Sequence, residues 1–102
     1  MNSMQVIGAP QYSGCVTLAT VLVSSSTSAT ALPYKVQALD LKATADCFVI
    51  VDMITRIVTS TNGMFIGAGE RVRVLAPNGD VSPIVSAIRA TADGNLYITP
   101  FM

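Results

Sequence analysis

The sequence predicts an all-β domain: a small antiparallel β-sandwich or barrel, jelly-roll-like, with an extended uncharged N-terminal arm. Short apolar runs, several with period-two alternation, recur along the chain, and turn residues separate them at intervals of about 8–12 residues. No window has the i, i+3, i+4, i+7 apolar spacing of a capped amphipathic helix. All charged residues lie after position 34. The first third of the chain therefore differs in character from the rest.

The chain of 102 residues is long enough for a single domain. Within it, residues 1–34 are predicted to form the arm and a first strand, and residues 35–102 the body of the sandwich. An uncharged arm suits an extended segment that lies along another subunit. The alternative is that residues 16–23 form a central strand and residues 24–30 a flexible loop, and the two interpretations can coexist.

The first half of the body contains two predicted strands and a hairpin signal. Residues 35–43 alternate, but the phase changes by one residue midway, as a β-bulge would produce. Residues 47–51 are apolar on both faces, as in a strand between two layers, and residues 56–59 form a short β-branched run. Asn62-Gly63 indicates a tight hairpin, because both residues tolerate positive φ.

The second half continues the pattern of strand and turn. Residues 70–76 alternate cleanly, with Val72 and Val74 on one face. Pro83 indicates a strand at a sheet edge or a bulge near its start, because proline cannot donate a ladder hydrogen bond. The remaining predicted segments are strands at 64–66, 81–90 and 96–99 and turns at 67–69, 77–80 and 93–95.

The composition indicates a surface that is covered in part by partners. The chain is 51% hydrophobic and only 12% charged, whereas a soluble domain typically carries about 25% charged residues. Its mean hydropathy is +0.56. So few charges coat a free monomer poorly, and we expect an obligate oligomer or a subunit of a larger assembly.

Charge and length argue against two classes of partner. Six basic residues balance six acidic ones, so the chain has no cationic footprint for nucleic acid. The apolar run at 15–23 is too short for a bilayer, which takes about 20 residues. The N-terminus also lacks the positive region of a signal peptide. We therefore expect a protein made in the cytoplasm that binds neither nucleic acid nor membrane.

The sequence contains little that could do chemistry, so we expect no enzyme and no cofactor. It has no histidine, which is the commonest general base, and no plausible zinc ligand set. Asp40, Asp46 and Asp52 occur singly at predicted strand ends and turns. Cys15 and Cys47 lie in apolar runs and are interpreted as small buried hydrophobes, although a disulfide between them stays open.

Between Ala31 and Phe101 the chain contains a series of turn-and-strand motifs. They are Ala-Leu-Pro at 31–33, Val-Gln-Ala-Leu-Asp-Leu-Lys-Ala at 36–43, Phe-Val-Ile-Val-Asp at 48–52, Val-Thr-Ser-Thr-Asn-Gly at 58–63, Ile-Gly-Ala-Gly-Glu at 66–70 and Ile-Arg-Ala-Thr-Ala-Asp-Gly-Asn-Leu-Tyr-Ile at 88–98. In these segments the chain resembles a group of short virion proteins of tailed bacteriophages, and the resemblance covers about 70% of the chain.

The resemblance implies a virion protein that decorates and cements the capsid by bridging major capsid protein subunits, with a homotrimer favoured. The alternative is a head-fibre or tail-associated subunit or a host-binding tip domain. The uncharged arm favours the cement role, because an extended strand can add to a sheet edge without charge. On such a strand Val16 and Leu18 are candidate contacts on one face, and Val21 and Val23 on the other.

Overall fold

The computed structural model describes residues 19–32, 36–76 and 82–101, and these form eight β-strands and no helix. The all-β prediction is confirmed. The strands are β1 Ala19–Val23, β2 Ser28–Ala31, β3 Ala38–Ala43, β4 Cys47–Asp52, β5 Met64–Ile66, β6 Arg71–Leu75, β7 Ile84–Arg89 and β8 Gly94–Phe101.

The eight strands form two four-stranded antiparallel sheets, which pack face to face. Sheet one has the order β1-β8-β3-β6 and sheet two the order β2-β7-β4-β5. The pairs β1–β8, β2–β7, β3–β6 and β4–β5 are those of one long hairpin. The hairpin is rolled up so that β8 also pairs with β3, and β7 with β4. This arrangement is a jelly roll.

The core lies between the two sheets and follows the alternation of the strands. Sheet one contributes every second residue of β1, β3 and β8, and sheet two does the same from β4 and β7. Leu39 and Leu41 of β3 are completely buried. The other buried members of the cluster are Val21, Val23, Leu32, Val36, Ala43, Cys47, Val49, Ile66, Val85, Ala87, Leu96 and Ile98.

The described part of the first third belongs to the sandwich. Among the described strands, the 19–23 strand β1 lies at the edge of sheet one and not at its centre, as the alternative interpretation of residues 16–23 had it. Strand β2 begins at Ser28 and lies at the edge of sheet two, so residues 24–30 are not a loop throughout. Residues 1–18, which include most of the predicted arm, lie outside the described residues.

The bulge predicted within 35–43 is wrong for the described part of that run. From Ala38 to Ala43, strand β3 pairs residue for residue with β8, without an inserted residue. The change of phase in the sequence arises because Val36 does not belong to the strand. It lies in the connection before β3 and is buried there. Leu39 and Leu41 are buried by the alternation of the strand itself.

The prediction from Pro83 is also wrong. Strand β7 is an inner strand, between β2 and β4, and its ladders show no inserted residue. Pro83 lies just before the strand, where its lack of an N–H is harmless, and its carbonyl accepts a hydrogen bond from Leu32 N at 3.0 Å. The last strand is longer than predicted at both ends. It begins at Gly94, within the turn predicted at 93–95, and it includes Pro100, which lies opposite Leu39. The turn predicted at 77–80 lies outside the described residues.

The turn at 67–69 is confirmed and is held by two carboxylates. Glu70 accepts a hydrogen bond from Gly67 N, and Asp46 accepts one from Ala68 N, both at 2.7 Å. Gly69 has a φ of +80°, which a residue without a Cβ adopts most easily. Its N–H donates to the carbonyl of Ala43 at 2.8 Å. The turn between β5 and β6 is thereby tied to the end of β3.

Candidate functional site

The structure places two of the predicted contact residues inside the protein. Val21 and Val23 are 1% and 0% exposed, so they belong to the core of their own chain rather than to its surface. Leu22 lies between them, faces outward and is 59% exposed. Val16 and Leu18 lie outside the described residues. Strand β1 therefore exposes Leu22, on the face opposite to the two valines.

The outer face of sheet one is mostly polar. Asp40 on β3 and Arg73 on β6 are cross-strand neighbours, and Arg73 Nε donates to Asp40 Oδ1 at 3.2 Å. Lys42 and Arg71 are also exposed on this face. A polar outer face is typical of an antiparallel sheet with one side in water.

The outer face of sheet two is apolar, and the connection between β4 and β5 covers part of it. Phe48 and Ile50 lie opposite Ile88 and Ser86 there, and all four are partly or fully buried. Ser86 is completely buried, and its hydroxyl accepts a hydrogen bond from Arg56 N at 3.2 Å. The strand at 47–51 is therefore covered on both sides, as its sequence predicts. Residues 56–59, predicted as a β-branched run, lie in this connection rather than in a strand.

Two further groups of contacts fix the connection to the body. Val58 N donates to Thr27 Oγ1 at 3.0 Å, and the Val58 side chain is 1% exposed. Asn62 crosses the turn that follows: its Oδ1 accepts from Thr59 N at 2.7 Å and its Nδ2 donates to the carbonyl of Ile57 at 3.0 Å. The connection is thus a third layer over sheet two, tied to β7 and to the residue that precedes β2.

Gly63 is required by this layer because the backbone passes close to sheet two. A Cβ at Gly63 would lie 2.7 Å from Val58 Cγ1 and 2.8 Å from Phe48 Cβ. These distances are shorter than real contacts allow. Gly63 is not among the glycines with positive φ. A turn therefore lies where Asn-Gly predicts one, but the tight hairpin is wrong, because the strand before Met64 ends at Asp52. The reason for the glycine is close approach.

The connection and β5 carry most of the exposed large hydrophobic residues of the described ranges. Of the eight large hydrophobic residues that are exposed among the described residues, five lie here. We call these five the β4–β5 patch: Met53, Ile54, Ile57, Met64 and Phe65. Ile57 is the most exposed of them, at 80%, and Phe65 packs its ring against Phe48 with centroids 5.6 Å apart. Large apolar side chains exposed close together in the sequence are candidates for an interaction site.

The charges beside the patch neutralise each other. Arg56 Nε donates to Asp52 Oδ2 at 2.7 Å. Hydrogen bonds from Met53 N and from the Arg56 guanidinium stabilise the carboxylate and lower the pKa of Asp52 below its ordinary value. The pair is solvent-exposed, so it contributes little to stability. Its consequence for the patch is that the neighbouring surface carries both signs of charge and no net charge.

Cys47 is a free thiol in the core between the sheets. Burial, with a smaller contribution from the neighbouring Asp46 carboxylate, raises the pKa of the Cys47 thiol to about 11. A thiol with this pKa is protonated at neutral pH and is a poor nucleophile. Its position agrees with its interpretation as a small buried hydrophobe.

The acidic residues considered as chemical groups each have a structural contact. Asp40 pairs with Arg73, Asp46 accepts from Ala68 N, and Asp52 accepts from Met53 N. Within 19–32, 36–76 and 82–101, no group of three His, Cys, Asp or Glu side chains is placed to hold a metal ion. The same part of the chain contains no helix that is long and apolar enough to cross a membrane.

Sequence reasoning did not identify the β4–β5 patch. The available signal was the apolar content of a connection that ends in an Asn-Gly turn, since connections of this length are usually polar. Met53, Ile54 and Ile57 break that expectation. The β-branched residues near Ile57 also have the composition of a strand, so the run at 56–59 predicts one.

Comparison with known proteins adds no family to this picture. No protein-family model matches the chain. No curated protein and no solved structure matches it significantly.

Proposed function

We propose that this chain is a structural virion protein of a tailed phage, a decoration or cement protein that binds the head as a homotrimer and bridges subunits of the major capsid protein. The observation that carries the proposal is the β4–β5 patch. In this body with few charges, five of the eight exposed large hydrophobic residues of the described ranges lie on the β4–β5 connection and on β5. A protein that acts by packing against neighbours needs such a surface and needs no catalytic groups.

The fold is compatible with this role. An eight-stranded jelly roll is a common architecture of viral capsid proteins, although it also serves lectins and other functions. Strand β1 lies at the edge of sheet one, and the uncharged residues 1–18 precede it directly. An edge strand that follows an uncharged segment suits strand addition to a neighbouring sheet.

A host-binding fibre tip is the second candidate and has weaker support. Such a tip would expose aromatic side chains on its loops. In the described ranges the paired aromatics Phe48 and Phe65 lie on strands of sheet two, and the rings pack on each other. The β4–β5 patch, on the connection and β5, contains one aromatic side chain, that of Phe65. This composition favours packing between proteins over the stacking that sugars prefer.

The proposal is tested on particles purified from the lysed host that carries this gene. Quantitative mass spectrometry of density-gradient-purified particles measures the ratio of this chain to the major capsid protein. A cement protein is expected at a ratio of the same order as the capsid protein. A ratio lower by about two orders of magnitude would support the fibre or tail alternative, and absence from the particles would refute both.

A further inference from the structure

We propose that Asn62 is a latent site of spontaneous deamidation, which the folded β4–β5 connection suppresses and which reacts when the connection detaches from sheet two. Asn62-Gly63 is one of two Asn-Gly pairs in the chain, and asparagine is among the thermally labile residues of proteins. A following glycine favours the reaction, because it has no side chain to hinder attack by its own backbone nitrogen. The reaction is independent of the proposed function.

Deamidation hydrolyses the side-chain amide in two steps. The backbone nitrogen of Gly63 loses its proton to solvent and attacks Asn62 Cγ; the new N–C bond closes a succinimide ring, and the Cγ–Nδ2 bond breaks as ammonia leaves. Water then opens the ring at either carbonyl and gives aspartate or isoaspartate. Water is the only co-reactant, and Asn62 is exposed to it. The reaction therefore requires a free N–H at Gly63 and an Asn62 side chain that can rotate toward it.

The folded connection withholds both requirements. Gly63 N donates to the carbonyl of Thr59 at 3.1 Å. Asn62 Oδ1 accepts from Thr59 N at 2.7 Å, and Asn62 Nδ2 donates to the carbonyl of Ile57 at 3.0 Å. These partners also fix the orientation of the amide, because the N–H of Thr59 donates and the carbonyl of Ile57 accepts. The attacking nitrogen is thus occupied, and the group it would attack is held at both of its polar atoms.

Gly63 links the reactivity of Asn62 to the packing of the connection. A Cβ at position 63 would lie 2.8 Å from Phe48 Cβ, so the close approach requires the same residue that makes Asn62 reactive. The Gly63 N–H becomes free when the turn opens. The rate of deamidation should therefore follow the fraction of time that the connection is open.

Deamidation is expected to prevent the connection from closing again. An ionised carboxylate only accepts hydrogen bonds, so an oxygen takes the place of the Nδ2 donor beside the carbonyl of Ile57. Isoaspartate also lengthens the backbone by one carbon next to Gly63, where an added Cβ already finds no space. A transient local opening is thereby converted into a permanent change of the connection.

The first experiment follows deamidation of Asn62 by peptide mass spectrometry in the full chain, at one mildly alkaline pH, with and without urea. We expect Asn62 to react at least about tenfold more slowly in the folded than in the urea-unfolded protein. Asn78-Gly79 contains the same dipeptide and calibrates the intrinsic rate in urea. Equal rates for Asn62 in the two states would overturn the suppression. Absence of reaction at Asn62 in urea, under conditions in which Asn78 reacts, would overturn the site itself.

The second experiment measures hydrogen exchange at the Gly63 amide by NMR in Asn62→Asp, which carries the charge of the product. We expect exchange at least about tenfold faster than in the wild type, because the hydrogen bond to Thr59 is lost when the turn opens. Ser60→Asp, an exposed change in the same turn, adds the same charge but keeps the Asn62 amide, and should leave the exchange rate nearly unchanged. If Asn62→Asp does not fold, Asn62→Ala removes the same donor without a charge and is expected to act in the same direction. Unchanged protection of the Gly63 amide in the Asn62 variants, or an equal loss in Ser60→Asp, would overturn the one-way step.

Discussion

Single residues decide how closely the β4–β5 connection can approach sheet two. Gly63 stands where the connection meets the Cβ of Phe48, and Val58 fills the space beside it. Also beneath the connection lies Ser86, the one buried polar side chain among the described residues. Its hydroxyl accepts a hydrogen bond from Arg56 N. The apolar patch thus depends on a few small or polar residues that lie beneath it.

Gly63→Ala is expected to lower the free energy of unfolding by about 1–3 kcal/mol, the usual cost of overpacking. The new Cβ would lie 2.8 Å from Phe48 Cβ, an atom fixed to the backbone that cannot rotate away. Urea denaturation followed by circular dichroism measures the change. Ser60→Ala, an exposed change in the same turn, is the control and should alter stability by less than about 0.5 kcal/mol. Equal stability of the two variants would contradict the proposed close approach.

Asp52 is expected to make stability depend on pH in the acid range. Its pKa in the folded protein lies below the ordinary value of 3.8, so its ionised form stabilises the fold at neutral pH. This contribution is lost as the pH falls from about 4 through the lower pKa of the folded state. The free energy of unfolding is measured between pH 7 and pH 2, on the order of one point per half unit. It should fall less steeply with decreasing pH for Asp52→Asn than for the wild type. Parallel curves would show that Asp52 does not contribute.

At the scale of elements, the connection between β4 and β5 behaves as a third layer. Thr27 provides its attachment next to β2, because the Oγ1 atom accepts from Val58 N at 3.0 Å. The contact joins residues that are 31 positions apart in the chain. Its loss would leave a partly buried N–H without this acceptor.

Thr27→Val is therefore expected to lower the free energy of unfolding by about 1–3 kcal/mol, the cost of an unsatisfied buried donor. It should also speed hydrogen exchange at the Val58 amide, measured by NMR. Thr27→Ser keeps the hydroxyl oxygen and should keep most of the protection of that amide. Fast exchange in both variants would mean that the hydroxyl is not the acceptor that holds Val58.

The elements that follow from local patterns could be predicted, and those that depend on remote partners could not. The alternation of β6 and the turn at 67–69 were correctly placed, because each is encoded by neighbouring residues. In β1, however, Val21, Leu22 and Val23 are all apolar, so period two defines two faces without saying which is inside. The inner position of β7 depends on pairing with β2 and β4, which the chain around Pro83 does not reveal.

The candidate site was missed for the same physical reason. The path of residues 53–63 is set by hydrogen bonds to Thr27 and Ser86, which belong to other strands or connections. A short β-branched run has the same composition whether it pairs in a sheet or lies across one. Only the three-dimensional arrangement shows that Ile57 faces outward while Val58 faces sheet two.

At the scale of the whole molecule, the two sheets enclose one core that contains Cys47. The reactivity of this thiol measures how often the core opens. We expect Cys47 to react with iodoacetamide at least about 10³-fold more slowly in the folded than in the urea-unfolded protein. The thiol then reacts only when the domain unfolds, and a domain with a stability of about 5 kcal/mol is unfolded for less than a thousandth of the time. Peptide mass spectrometry distinguishes Cys47 from Cys15. Comparable rates in the two states would show that the core opens locally around β4.

The rolled hairpin also determines the order in which the protein can fold. Strand β1 pairs with β8 about 70–80 positions later in the chain. Among the eight described strands, β4 and β5 are the only two that follow each other in the chain and also pair. Contacts of long sequence separation form slowly, since closing a long loop costs entropy before the contacts compensate for it. During synthesis on the ribosome, sheet one therefore stays incomplete until β8 has emerged. Strands β4 and β5 can pair before β7 emerges, so a nascent chain exposes the apolar residues of the connection before Ser86 is present to anchor Arg56 N, and premature association between neighbouring chains on one polysome is expected at this stage.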